Sequence, residues 1–288
     1  MTPTQTEIDR ILKRQEGLIS RSQHPELAGS LDALLARRRL VRLLPGVYAA
    51  PAAADLPIAR LRAVQLWDPD AVLTHHAAAR LTFWPALRLP RIDIATRHRV
   101  CCRPGYLAVR RIVPPELIVD RRGLRCTAPA LTALDLVDHC GAEPIDGLLR
   151  SRQATLAHLH EALAGSTGRR GNVGRRRLVL ESRDNPWSPP ERRVHVLLRE
   201  ADITGWHGNL RVEVNGDPYF VDIGFPGHRL AVEIDGREFH SGPAEFERDR
   251  WRQNDLVNAG WRVLRFTARR VEEAPHLVIA TIREALAA

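Results

Sequence analysis

The stretch YFVDIGFPGHRLAVEID, residues 219–235, decides how the C-terminal part of this chain folds. Strand-like alternation runs on both sides of Pro226-Gly227, a dipeptide suited to a turn, so the spacing predicts two strands joined as a hairpin. Side chains alternate faces along a strand, which puts Val221, Ile223 and Phe225 on one side and Asp222 on the other. In the second strand Leu230, Val232 and Ile234 share a face, and Glu233 and Asp235 share the opposite one. Three carboxylates gathered between apolar neighbours repel one another and lose hydration unless a cation sits among them. Hard oxygen ligands in a partly hydrated site suit Mg2+ or Mn2+. Such a group supports phosphodiester hydrolysis, in which the ion neutralises charge on phosphoryl oxygens and acidifies a bound water.

Working outward, Leu210–Val214 reads as a preceding strand closed by a turn at Asn215-Gly216-Asp217. Before it, Ser188-Pro-Pro-Glu191 has the form of a capping box: serine at the N-cap, proline at the first helical position, glutamate three residues after the cap. Glu191 therefore has a purely structural explanation. It also lies near the apolar stripe of Val194, Leu197, Leu198 and Ala201, from whose inward edge a carboxylate could reach a metal cluster. Downstream, GREFHSG sets His240 on a loop five residues beyond Asp235, where it could serve as general base or acid. A helix over 244–258 would present Arg248, Arg252 and Asp255 at helical spacing, with Asp249 one position on, and Gly260 would close it. Trp261–Thr267 is the next strand, with Arg265 on one face and Leu264 and Phe266 on the other.

A helix with Glu, a strand with Asp, a strand with Glu-x-Asp, a basic helix and a strand follow the order of the PD-(D/E)XK nuclease core. The region 185–288 resembles very-short-patch-repair-type endonucleases through YFVDIGFPGHRLAVEIDGREFHSG and ERDRWRQNDLVNAGWRVLRF. The resemblance implies that Asp222 is the central metal ligand, that Glu233 and Asp235 complete the acidic site, that His240 takes a loop-histidine role, and that Asp249 and Arg252 organise the site. One departure stands out: the pattern wants lysine two residues after Glu233, and this chain has Asp235. Water positioning would then fall to His240 or a second metal. The same departure is compatible with a domain that keeps a binding surface and has lost catalysis.

At the other end, Ile8, Ile11 and Leu12 repeat at helical spacing before Gly17, and Gly29 marks a turn whose Ser30 can cap a helix through Leu31, Leu34 and Leu35. That stretch ends in Arg37, Arg38 and Arg39, and two strands follow around Pro45-Gly46, the first carrying Arg42. Helices followed by a basic helix and a hairpin are the order of a winged helix-turn-helix; the blander reading is a solvated, dipole-favoured helix end. GLISRSQ, LDALLARRRLVRLLPGVYAA and LTHHAAARL resemble AbiEi-like antitoxins and related regulators over residues 5–140. That resemblance implies a winged-helix DNA reader followed by a mixed α/β segment of no assigned chemistry; the candidate DNA-binding residues are Arg37, Arg38, Arg39 and Arg42, together with Arg248 on the C-terminal basic helix. His75 and His76 lack an acid or cysteine at ligand spacing and read as structural, at a helix start after Thr74. Residues 91–113 read as strands and Thr127–Val137 as a capped apolar helix.

These readings divide the chain into a winged helix (1–52), a mixed α/β middle domain (53–164), a basic connector with a short helix at about Val173–Ser182 (165–187), and a restriction-endonuclease-like mixed sheet flanked by helices (188–288). The expected class is mixed α/β (α+β). A formal charge of +9 favours a polyanion such as DNA, although Lys13 is the single lysine and arginine bias has compositional causes as well. Cys101, Cys102, Cys126 and Cys140 form no zinc-ligand spacing, no secretory signal opens the chain, and no run approaches the ~18 apolar residues of a membrane span. The expectation is a cytoplasmic, Mg2+- or Mn2+-dependent DNA endonuclease or nickase. A DNA-binding regulator with an inert nuclease fold is the alternative. A homodimer and a toxin–antitoxin partner both stay open.

Overall fold

The computed structural model describes residues 3–97, 101–182, 187–214, 217–235 and 254–288. His240, Arg248, Asp249, Arg252, the Asn215-Gly216 turn and most of the expected 244–258 helix lie outside the described residues. The chain is mixed α/β, as its patterning predicts, and divides into two compact units, Met1–Leu136 and Val137–Ala288. The division falls inside the stretch that composition assigned to a middle domain, so residues 137–164 belong with the C-terminal unit.

The first unit opens with α1 (Pro3–Arg14), β1 (Leu18–Ser20), α2 (Ala28–Ala36), β2 (Val41–Leu44) and β3 (Val47–Ala49). The strands form an antiparallel sheet in the order β1-β3-β2. Ile8 and Ile11 of α1, Leu31 and Leu34 of α2, Ile19 and Tyr48 make one apolar cluster beneath it. Two details differ from the sequence reading. Gly29 and Ser30 lie inside α2, because a 3-10 turn at Pro25–Leu27 already starts the helical run. Arg37, Arg38 and Arg39 lie beyond the helix end at Ala36, exposed in a turn where Arg38 takes φ +55°. Arg42, on β2, places its guanidinium 5.7 Å from the Tyr48 ring centre.

The unit continues with α3 (Pro51–Ala54), α4 (Pro57–Trp67), β4 (Val72–Thr74), α5 (His75–Leu81), β5 (Ile92–Thr96), β6 (Cys101–Arg103), β7 (Tyr106–Arg110), β8 (Ile118–Arg121), β9 (Leu124–Thr127) and α6 (Pro129–Cys140), which crosses the division. Six strands pair in the order β6-β7-β5-β4-β9-β8, with β5/β7 and β4/β9 parallel. Thr74 is the N-cap residue of α5, as expected, and its hydroxyl lies 2.9 Å from His75 Nδ1.

The second unit adds α7 (Glu143–Ser151), α8 (Leu156–Ala164), α9 (Asn172–Glu181), α10 (Pro189–Glu200), β10 (His207–Val214), β11 (Asp217–Phe225), β12 (Leu230–Asp235), β13 (Arg262–Thr267), α11 (Ala268–Glu273) and α12 (Pro275–Ala287). Its sheet runs β10-β11-β12-β13, antiparallel except for the parallel β12/β13 edge. One face packs Ile223, Phe225, Leu230, Val232 and Ile234 against Val194 and Leu198 of α10 and against α11 and α12. The other gathers Val212, Val214, Val221, Ala231 and Leu256. Among the described residues no helix is long and apolar enough to cross a membrane.

The two clusters correct the expected alternation along β11. Val221 packs on the opposite side of the sheet from Ile223 and Phe225. The cause is a local irregularity: between the Leu210–Val221 and Gly208–Ile223 pairs, Asn209 takes φ +48°, which interrupts the regular alternation. A break of this kind re-aims the side chain at the irregular position, and that side chain is Asp222.

Candidate active site

The helix that brings Glu191 into place starts as its sequence predicts. Ser188 is the N-cap of α10, its hydroxyl accepting from Glu191 N–H at 3.4 Å and donating to Glu191 Oε1 at 2.7 Å. Glu191 Oε2 accepts from the Trp187 amide at 2.8 Å, one residue further out than in the standard box, so the carboxylate anchors the chain entering the helix. Behind it Val194, Leu197 and Leu198 are buried in the core, as expected of the stripe.

Glu191 nevertheless does more than cap. It is 6% exposed, and its pKa is pushed up to about 8, first by burial, then by the negative charge of Asp222, against which the Trp187 and Ser188 hydrogen bonds work. A helix and a strand thus bring Asp222 close enough for its charge to oppose the ionisation of Glu191. Asp222 is half-buried and its Oδ2 accepts the Ile234 amide at 2.7 Å, just past the last β11/β12 pair at Ile223 and Val232. The Asp222 carboxylate therefore sits where β12 carries Glu233 and Asp235.

On β12, Glu233 stands opposite Arg265 and Asp235 opposite Thr267 of β13, in parallel register. Val232 and Ile234 enter the core, so Glu233 and Asp235 lie on the other face, as alternation predicts. Leu264 and Phe266 pack with the same core, which leaves Arg265 on the acidic face. Its Nη1 is 3.9 Å from Asp235 Oδ1, each side chain being 37% exposed. Among the described residues no three His, Cys, Asp or Glu side chains are grouped to hold a metal ion.

Three buried polar residues around this point escape a motif-based reading. His195, one helical turn after Glu191, is fully buried, its ring 4.7 Å from that of Trp206. Burial, with Arg199 and Arg192 nearby, pushes its pKa down to about 3 and keeps it neutral. Arg192 is paired with Asp146 of α7, and its Nη1 donates to Leu178 O and Ser182 Oγ of the α9 end, both at 2.7 Å. Burial outweighs this partner and pushes the Asp146 pKa up to about 7. The stretch read as a connector, including α9, is in this way tied to the helix that bears Glu191. The signal in the sequence was the Arg192–His195 pair inside an apolar helical stripe, where charge is unexpected without partners.

The C-terminal part, residues 191–286, matches the family model REase_MTES_1575. Over 271 residues the chain is 29% identical to uncharacterized protein Rv2248 of Mycobacterium tuberculosis (strain ATCC 25618 / H37Rv), covering 88% of this chain and 94% of that one. The same values hold for uncharacterized protein MT2308 of the strain CDC 1551 / Oshkosh. Among solved structures, the homing endonuclease I-Bth0305I catalytic domain aligns with 26% identity over 34% of this chain and 93% of its own, at a TM-score of 0.28. The matched residues 191–286, similar to a restriction-endonuclease-like family, carry Glu191, Asp222, Glu233, Asp235 and Arg265.

Proposed function

We propose that this protein is a divalent-metal-dependent DNA endonuclease or nickase whose hydrolytic site is built from Glu191, Asp222, Glu233 and Asp235. The observation that carries the reading is the buried Glu191, set near Asp222 within the region that matches the family model. Glu191, whose ionisation is opposed by burial and by the Asp222 charge, is a hard oxygen donor that a divalent cation beside it would relieve, which supports Mg2+ or Mn2+ as the ion. Asp222 and Glu191 would hold it, with His240 and Asp249 as further candidates. When bound, the ion would supply charge neutralisation at phosphoryl oxygens and a more acidic water. The protein's own part is to fix these carboxylates through the α10 cap and the β11 irregularity, and to present basic residues to the nucleic acid.

The N-terminal order of helix, strand, helix and hairpin, with Arg37, Arg38, Arg39 and Arg42 exposed, supports the reading of a winged-helix DNA reader. Incubating the full chain with supercoiled plasmid and Mn2+ tests the proposal. Nicking that disappears in Asp222→Asn is expected; absence of nicking across duplex, flap and single-stranded substrates overturns it. A second reading, a DNA-binding regulator with an inert nuclease fold, is favoured by one observation, the aspartate at position 235 where the catalytic pattern has lysine. It predicts sequence-specific duplex binding with no turnover.

A further inference from the structure

We propose that Arg265 is the phosphate-binding cation of this site, contributing from β13 the positive charge that the catalytic pattern assigns to position 235 on β12. The inference deepens the nuclease reading and rests on it for the identity of the reaction. Three observations carry it. First, Arg265 stands directly opposite Glu233 across the parallel β12/β13 edge, at a spacing of ~4.8 Å between strands. Second, core packing of Leu264 and Phe266 leaves its side chain on the same sheet face as Glu233 and Asp235. Third, its contact with Asp235 is loose, 3.9 Å with both groups 37% exposed.

An exposed ion pair of that length contributes little to folding. A structural counter-ion would be buried and hydrogen-bonded, as Arg192 is with Asp146. Arg265 instead holds a planar fork of donors at the rim of an acidic face, suited to two oxygens of one phosphate. The charges have exchanged strands relative to the pattern: the acid sits at 235, and the cation sits one strand over.

The ligand class is a phosphodiester of DNA, held through its non-bridging oxygens. In hydrolysis a water oxygen bonds to phosphorus and one ester P–O bond breaks. One water proton ends on the leaving oxygen, giving a phosphate monoester and a free hydroxyl. Negative charge builds on the non-bridging oxygens as the P–O bonds change, and a guanidinium placed there stabilises it.

The test uses the full chain with Arg265→Met and Arg265→Lys and two readouts. In single-turnover plasmid nicking with Mn2+, Arg265→Met is expected to slow the reaction ~100-fold or more, with Arg265→Lys faster than Arg265→Met. In metal-free binding of a 5′-phosphorylated DNA duplex, which needs no turnover, Arg265→Met is expected to reduce the slope of log affinity against log salt by about one. An unchanged rate together with an unchanged salt slope overturns the proposal, and so does a lysine variant no better than methionine in both. If the wild-type chain does not nick, the hydrolase reading fails and the salt slope alone decides whether Arg265 contacts phosphate.

Discussion

The charge of Asp222, on β11, is after burial the largest reason that Glu191, on α10, keeps its proton up to about pH 8. Strand and helix are held together by an apolar core, so the two acids are kept near each other by packing, against their electrostatic preference.

Their proximity has a consequence for stability in the presence of a chelator. The folded pKa of Glu191 lies above its ordinary 4.5, so the native state keeps a proton that the unfolded chain has lost, and stability falls as pH rises from about 4.5 to about 8. Glu191→Gln removes that slope. Thermal unfolding in EDTA across this range should show a higher Tm at the alkaline end for the variant than for the wild type; equal pH profiles would remove Glu191 from the account.

His195 works in the opposite direction. Its folded pKa of about 3 lies below the ordinary 6.5, so the unfolded chain takes up a proton that the native state refuses, and stability is lost as pH falls below about 6.5. His195→Phe, which keeps a ring against Trp206, should flatten the acid limb of the same profile. An unaltered acid limb would contradict the neutral, buried assignment.

Arg192→Met leaves Asp146 buried beside the ends of α7 and α9 without its partner. Removing one member of a buried pair costs about 3 kcal/mol, and the loss should grow above pH 7, because without Arg192, which holds the Asp146 pKa down to about 7, the buried acid retains a proton that the wild type and the unfolded chain have both released. Urea unfolding measures it; the double variant with Asp146→Asn should recover part of the loss, and a single variant as stable as wild type would refute the role of this link.

Gly224 packs beneath Leu210, and a Cβ there would lie 2.9 Å from Leu210 Cβ. Gly224→Ala should destabilise by about 1–3 kcal/mol through overpacking, with partial compensation on adding Leu210→Ala, which removes the contacts with Leu210 Cγ and Cδ2 and leaves that with its Cβ. Denaturant midpoints of the two variants decide the point, and a harmless Gly224→Ala would mean that β10 and β11 are less tightly apposed.

Much of this was legible in residues 188–235. The Ser188 cap, the helical stripe and the hairpin strands all follow from local chemistry, namely capping geometry, the 3.6-residue repeat and the two-residue repeat. The face of Val221 was not legible, because it depends on Asn209 adopting positive φ on a different strand, and alternation assumes an unbroken ladder. Nor was the partner of Asp235, since strand order and register put Arg265 beside it from 30 positions away in sequence. The tie between α9 and α10 was hidden for the same reason: Asp146, Ser182 and Arg192 are each unremarkable alone and meet only in the packed helices. At the N-terminus the hydrophobic period located α2, yet Gly29 suggested a boundary that the preceding 3-10 turn overrides.

Calorimetric titration of Mn2+ into the full chain near neutral pH tests most directly whether Glu191 and Asp222 jointly hold a divalent ion. Coordination requires ionised carboxylates and therefore expels the proton on Glu191, so the heat should vary with the ionisation enthalpy of the buffer in the wild type, lose that variation in Glu191→Gln, and vanish in Asp222→Asn. Binding of undiminished strength in Asp222→Asn, or no binding by the wild type, would contradict the account.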